Sequence, residues 1–113
     1  MPGQFPRRGE VWLVAFPDDP KLRPALIVSP DIRNEFANSV LAVPITTNMR
    51  PAPTHVLLPV GQGGLSRESM ARCENASYLH KSRLGRSALG GTVGDALMRE
   101  IERCLLRAFG INA

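Results

Sequence analysis

A chain of 113 residues with 43% hydrophobic and 21% charged side chains has enough apolar material for one modest core, too little for two domains, and too much for a disordered polymer. Its formal net charge is +4, and twelve of its fourteen basic residues are arginine, whose planar forks suit phosphates and stack on bases. No apolar run approaches the ~18 residues of a membrane-spanning helix, and residues 1–10 are too polar for a signal peptide, so a soluble cytoplasmic protein without membrane contact is expected.

Residues 9–16 read as a first strand, apolar on both faces, with Trp12 in the core. Residues 17–22 form a turn-rich loop with two prolines. A short buried strand follows in Arg23-Pro24-Ala25-Leu26-Ile27-Val28-Ser29. Its Val/Ile content and flanking prolines favour extended structure. Proline at a strand's start is tolerated, and the residue before it is biased to extended geometry, so Arg23 is held at a strand entrance by stiff backbone.

Residues 40–45 form a third strand, in which Pro44 removes a ladder donor and so requires an edge or a bulge. Residues 54–59 read as a fourth strand. Gly61-Gln62-Gly63-Gly64 is a flexible turn, not a phosphate loop, because it lacks the lysine–serine pair and a following helix. One or two strands fit residues 68–79. The glycine-punctuated stretch 81–94 reads as irregular. The last element is a helix over 95–109, with Leu97, Ile101, Cys104, Leu105 and Ala108 on one face and Gly110 as its C-terminal stop. Cys73 and Cys104 fit neither a zinc pattern nor a disulfide framework, and read as buried free thiols.

Two constellations could carry chemistry. Arg23 and the pair Thr46-Thr47 both stand at strand ends, where a small barrel presents its loops to one rim. Converging there, a permanently charged planar donor and one or two hydroxyls would suit a phosphodiester. Thr46 equally suits a strand-end residue that closes a turn. His55 and His80 are the usual bases by chemistry, but one starts a strand and the other lies in a turn, and both read as structural or exposed. The segment from Arg50 to Arg86 carries six basic and two acidic residues, a possible phosphate-tracking patch.

Several segments, in order, resemble MazF/PemK-type toxins, which are ribosome-independent endoribonucleases of bacterial toxin–antitoxin pairs. They are Arg8-Gly9-Glu10-Val11-Trp12-Leu13-Val14, then Arg23-Pro24-Ala25-Leu26-Ile27-Val28-Ser29, Pro44-Ile45-Thr46-Thr47, Pro53-Thr54-His55-Val56, Lys81-Ser82-Arg83-Leu84 and the C-terminal helix. The resemblance implies a mostly β, SH3-like (PemK/CcdB-like) barrel with a C-terminal helix, spanning residues 1–113 as one toxin domain. It implies catalysis by Arg23 and Thr46, with the RNA's own 2′-hydroxyl as nucleophile and 2′,3′-cyclic phosphate and 5′-hydroxyl ends as products. No metal or other cofactor is called for.

Single-stranded RNA is the implied substrate, with Thr47, Asn48, Arg50, Asn75 and Ser77 as candidate contacts. The other implied partners are a second copy of the chain, giving a homodimer, and a cognate antitoxin with an acidic, disordered C-terminal tail. Two features depart from the family pattern. The loop 17–22 is short and proline-bearing where relatives are glycine-rich. Asn75-Ala76-Ser77 stands where many relatives have glutamine-x-arginine, so Ser77 gives up a phosphate contact. Two other readings compete: a CcdB-like toxin that poisons DNA gyrase by binding, and a non-catalytic barrel for single-stranded nucleic acid. The first wants an aromatic-Gly-Ile at the extreme C-terminus, and here Asn112-Ala113 follow Phe109-Gly110-Ile111. The second wants exposed aromatics, of which Tyr78 is the one available.

Overall fold

Eight consecutive residues, Ser39–Thr46, form the strand (β3) around which the sheet is organised. The computed structural model describes residues 4–112. Before β3 come β1 (Glu10–Val14), β2 (Arg23–Ile27) and a short helix α1 (Asp31–Phe36). After it come β4 (His55–Leu58), β5 (Ser69–Arg72), β6 (Ser77–His80), β7 (Leu84–Thr92) and the helix α2 (Asp95–Ala108). The strands pair antiparallel in the order β4-β5-β3-β2-β1-β7, with β6 on the β5 side of β3. This is the mostly β fold with a C-terminal helix that the resemblance implied. The sheet curls like a barrel, but its end strands β4 and β7 are not hydrogen-bonded to each other.

β3 changes partner along its length. Ser39 to Ala42 face β6, and Ile45 and Thr46 face β5. Val43 and Pro44 fall between, paired with β2 alone. The proline thus occupies a local edge inside an otherwise paired strand, where its missing N–H breaks no ladder.

Both faces of the central strands are buried, as expected from their unbroken apolar runs. Leu26, Val43 and Ile45 point into a cluster closed by Met98, Ile101 and Cys104 of α2. Ala25, Ile27, Val40 and Ala42 point into a second cluster with Val14 and Leu79. Trp12, expected in the core, is only half-buried at the margin of that second cluster, because its indole Nε1–H reaches out to the Glu10 carboxylate at 3.1 Å. On α2 the deepest residue of the first turns is Met98 rather than Leu97, and Ala108 is exposed. The helix stops as expected: Gly110 adopts φ +80°, and the amides of Gly110 and Ile111 return to the carbonyls of Arg107 and Leu106.

Two further expectations are corrected, and one element is added. The stretch 81–94 is ordered strand rather than irregular for most of its length. β7 pairs with β1 through Thr92, Ala88 and Leu84 opposite Glu10, Trp12 and Val14, so four residues of β7 span two of β1 at each step. Such bulges accommodate glycines and erase the alternation that marks a strand. The glycines at 61–64 do not form a flexible turn. Residues Gln62–Gly64 make a 3-10 turn packed on β7, with a Cβ at Gly64 falling 2.6 Å from the backbone of Leu89 and Gly90. That turn bridges the gap between the sheet's two ends. Finally, α1 was not foreseen. It is pinned by a buried network in which Ser29 Oγ accepts from the Leu41 amide and contacts Asn34 Oδ1, while Asn34 Nδ2 donates to the Ser29 carbonyl.

Cys73 and Cys104 are free and buried as expected, and burial, together with the neighbouring Cys104 sulfur, pushes the Cys73 thiol up to about 12. No helix among the described residues is long and apolar enough to cross a membrane.

Candidate active site

Arg23 opens β2 opposite Val14, and its position is set from two sides. Pro24 stiffens the backbone after it. Before it, the loop 17–22 folds on itself: the Asp19 amide donates to the Phe16 carbonyl at 3.1 Å, and the Lys21 amide donates to Asp19 Oδ1 at 2.9 Å. The other oxygen of that braced carboxylate accepts from Arg23 Nε at 2.8 Å. The hydrogen bond from Arg23, helped by the Lys21 amide, holds the Asp19 carboxyl below the usual carboxylate range. Arg23 is half exposed, and its two η nitrogens have no protein partner among the described residues. It is an aimed fork with its outer donors unspent.

Thr46 ends β3 opposite Met70. Its Oγ1 accepts from the Asn48 amide at 3.1 Å, which closes the turn. Accepting that bond leaves the hydroxyl proton available, so the turn-closing role and a donor role are compatible. Arg23 and Thr46 line one depression of about 460 Å³, together with Phe16, Asp19, Pro24, Pro44, Ile45, Thr47, Ser69 and Arg72. Thr47 therefore joins them at the same rim.

A smaller depression of about 110 Å³ adjoins the first and shares Thr46 and Arg72 with it. Asn48, Arg50 and His55 complete its lining. His55 is fixed between two acceptors, with Nδ1 2.8 Å from the Arg50 carbonyl and Nε2 2.9 Å from Glu74 Oε2. Both ring nitrogens are thus directed at protein oxygens. Glu74 also accepts from Thr54 Oγ1 at 2.8 Å. Partial burial works against ionisation of Glu74, but the hydrogen bonds from His55 and Thr54 outweigh it and bring its pKa down to about 2. His80 lines neither depression; its Nδ1 accepts from the Ser82 amide.

Asn75 and Ser77 also line neither depression. Asn75 sits in the 3-10 turn after β5, its carbonyl accepting from Ser77 Oγ at 2.8 Å, and Ser77 pairs with Ala42. Arg72 and Asp19, by contrast, stand at the rim without having been singled out from the sequence. A larger cavity of about 760 Å³ opens elsewhere, between the N-terminal segment and β7, where Glu10 is already engaged by the Arg7 amide and the Trp12 indole. Among the described residues no group of three or more His, Cys, Asp or Glu side chains could hold a metal ion.

Known proteins share this architecture and sequence pattern. Residues 7–109 match the family described as PemK-like, MazF-like toxin of type II toxin-antitoxin system. The chain is 26% identical over 113 residues to Endoribonuclease MazF of Staphylococcus saprophyticus, covering 94% of this chain and 92% of that protein. It is 29% identical over 85 residues to Endoribonuclease EndoA of Bacillus subtilis, covering 69% of this chain and 73% of the relative. Among solved structures, a mycobacterial endoribonuclease in complex with its cognate antitoxin superposes with a TM-score of 0.82 at 32% identity, covering 96% of this chain and 98% of that one. The chain belongs to the PemK-like, MazF-like toxins of type II toxin–antitoxin systems.

Proposed function

We propose that this chain is a cytoplasmic, ribosome-independent endoribonuclease that cleaves single-stranded RNA and thereby arrests translation, with residues 1–113 acting as one toxin domain. The observation that supports it is the meeting of Arg23 and Thr46, from different strands, at one depression with donors to spare. In the reaction the substrate's 2′-oxygen attacks the adjacent phosphorus and the bond from phosphorus to the 5′-oxygen breaks. The 2′-hydroxyl proton passes to solvent, and the departing 5′-oxygen takes one up. Negative charge grows on the nonbridging oxygens as the phosphorane forms. The Arg23 η nitrogens and the Thr46 hydroxyl donate to those oxygens, and Asp19 keeps the guanidinium aimed.

The nucleophile belongs to the substrate, so the chemistry asks for no metal. Neither histidine presents an uncommitted nitrogen to the depression, and the reaction runs on charge stabilisation without a dedicated base. The chain works as a homodimer, and a cognate antitoxin with an acidic tail restrains it. Incubating the protein with a long single-stranded RNA in EDTA, then mapping the ends, tests the reading. Cuts bearing 2′,3′-cyclic phosphate, abolished by a 2′-deoxy residue at the cut position, are expected. Cleavage of all-deoxy strands, or dependence on added metal, would overturn it.

A further inference from the structure

Several arginines of this chain are tied into the fold. Arg8, Arg33 and Arg107 donate to the backbone carbonyls of Val28, Ser39 and Pro53 at 3.0, 2.8 and 3.0 Å. Arg72 is not tied in this way. It is the last residue of β5, its side chain is 44% exposed, and Nε lies 3.7 Å from Glu74 Oε2, too far for a hydrogen bond. Glu74 has closer contacts with Thr54 and His55, so its pairing with Arg72 is an ion pair at 3.7 Å with no hydrogen bond to hold the guanidinium. Yet Arg72 is a lining residue of both depressions.

We propose that Arg72 is a second phosphate-binding residue of this site, holding in the smaller depression the phosphate next to the scissile one. This deepens the endoribonuclease reading and rests on it. The smaller depression has room for roughly four waters at ~30 Å³ each, which fits a phosphate group rather than a nucleoside. Thr46, Asn48, Arg50 and His55 line it as well, so two arginines and three further polar residues adjoin the volume. Its shared wall with the first depression is what favours RNA as the occupant. A nucleic-acid strand carries anions at a fixed repeat, so a strand bound at Arg23 must present another phosphate close by. Arg72 is a binding and positioning residue here, and Arg23 remains the one at the reacting phosphate.

The test uses full-length protein and a fluorescent RNA oligonucleotide made uncleavable by one 2′-deoxy residue at the scissile position. Neutral methylphosphonate replaces one phosphate at a time. Wild type is expected to lose about tenfold or more in affinity at one linkage adjoining the scissile one, as for a lost hydrogen bond to a charged group. In Arg72→Gln the overall affinity falls and the penalty at that linkage shrinks. The slope of log affinity against log salt becomes shallower by about 0.7. Arg72→Lys keeps the slope but loses affinity, since a point charge does not reproduce the fork; it also carries the test should Arg72→Gln fold poorly.

Wild type that binds and cuts RNA, with the linkage penalty unchanged in Arg72→Gln, overturns this inference and leaves the ribonuclease reading standing. Wild type that neither binds nor cuts single-stranded RNA overturns both. An Arg72→Gln protein that loses affinity for an acidic antitoxin peptide, with RNA affinity and salt slope unaltered, assigns the residue to the antitoxin and overturns its assignment to RNA.

Discussion

Arg23 and Glu74 are two charged residues set for opposite tasks. Arg23 keeps its outer nitrogens open, whereas Glu74 is enclosed by donors. Arg23→Ala should lower cleavage by about a hundredfold or more without unfolding the protein, as expected for losing a principal donor to the transition state. Arg23→Lys should recover little, because the bidentate geometry is lost. Single-turnover rates with circular dichroism controls check both, and near-wild-type rates in either would remove Arg23 from the chemistry. Glu74 has a folded-state pKa of about 2, below its ordinary value near 4.5, so its contribution to stability is complete above the ordinary value and is lost as pH falls towards about 2. Denaturant titrations from neutral pH to about pH 2 should show wild type losing more stability than Glu74→Gln; parallel curves would mean that the carboxylate does not anchor His55 and Thr54.

At the scale of elements, what was legible in the sequence depended on whether packing left a period. β2 and β3 could be read because their apolar runs are buried on both faces, and α2 because its apolar positions recur at helical spacing. α1 was hidden: its two large apolar residues, Ile32 and Phe36, are exposed, and a buried asparagine anchors it instead. β7 was hidden by the bulges that carry its glycines. The site divides similarly. Arg23 and Thr46 were marked by strand-end prolines and by family likeness. Arg72 was masked by its place at the end of a four-residue strand, and Asp19 by a turn in which aspartate is unremarked. Asn75, in the 3-10 turn after β5, and Ser77, which opens β6, line neither depression. The turn at Gln62–Gly64 offers a sharp test. Gly64→Ala combines φ +84° with backbone contacts at 2.6 Å, so it should cost about 2–3 kcal/mol. Urea denaturation reads this, and a change under about 0.5 kcal/mol would mean that the turn is not what closes the sheet against β7.

For the whole molecule, the basic balance sets the terms on which partners compete. An acidic antitoxin tail and RNA would use the same exposed arginines, so each should weaken the other's binding, and both should weaken with salt. Titrating an antitoxin peptide against an uncleavable RNA checks this; independent binding of the two would place the tail elsewhere. A homodimer is expected at micromolar concentration, and a solution mass equal to one 12.3 kDa chain would refute it.

Pro24 and Pro44 lie on neighbouring strands one residue out of register, both line the first depression, and neither has an amide proton. Magnetic-resonance titrations followed through backbone amides would therefore have no probe at either proline. Bound substrate would show first in the Arg23 and Arg72 Nε–H signals and in the Thr46 and Thr47 methyl groups. The Asn48 amide, bonded to Thr46 Oγ1, would be the nearest backbone reporter of the hydroxyl turning towards a phosphate.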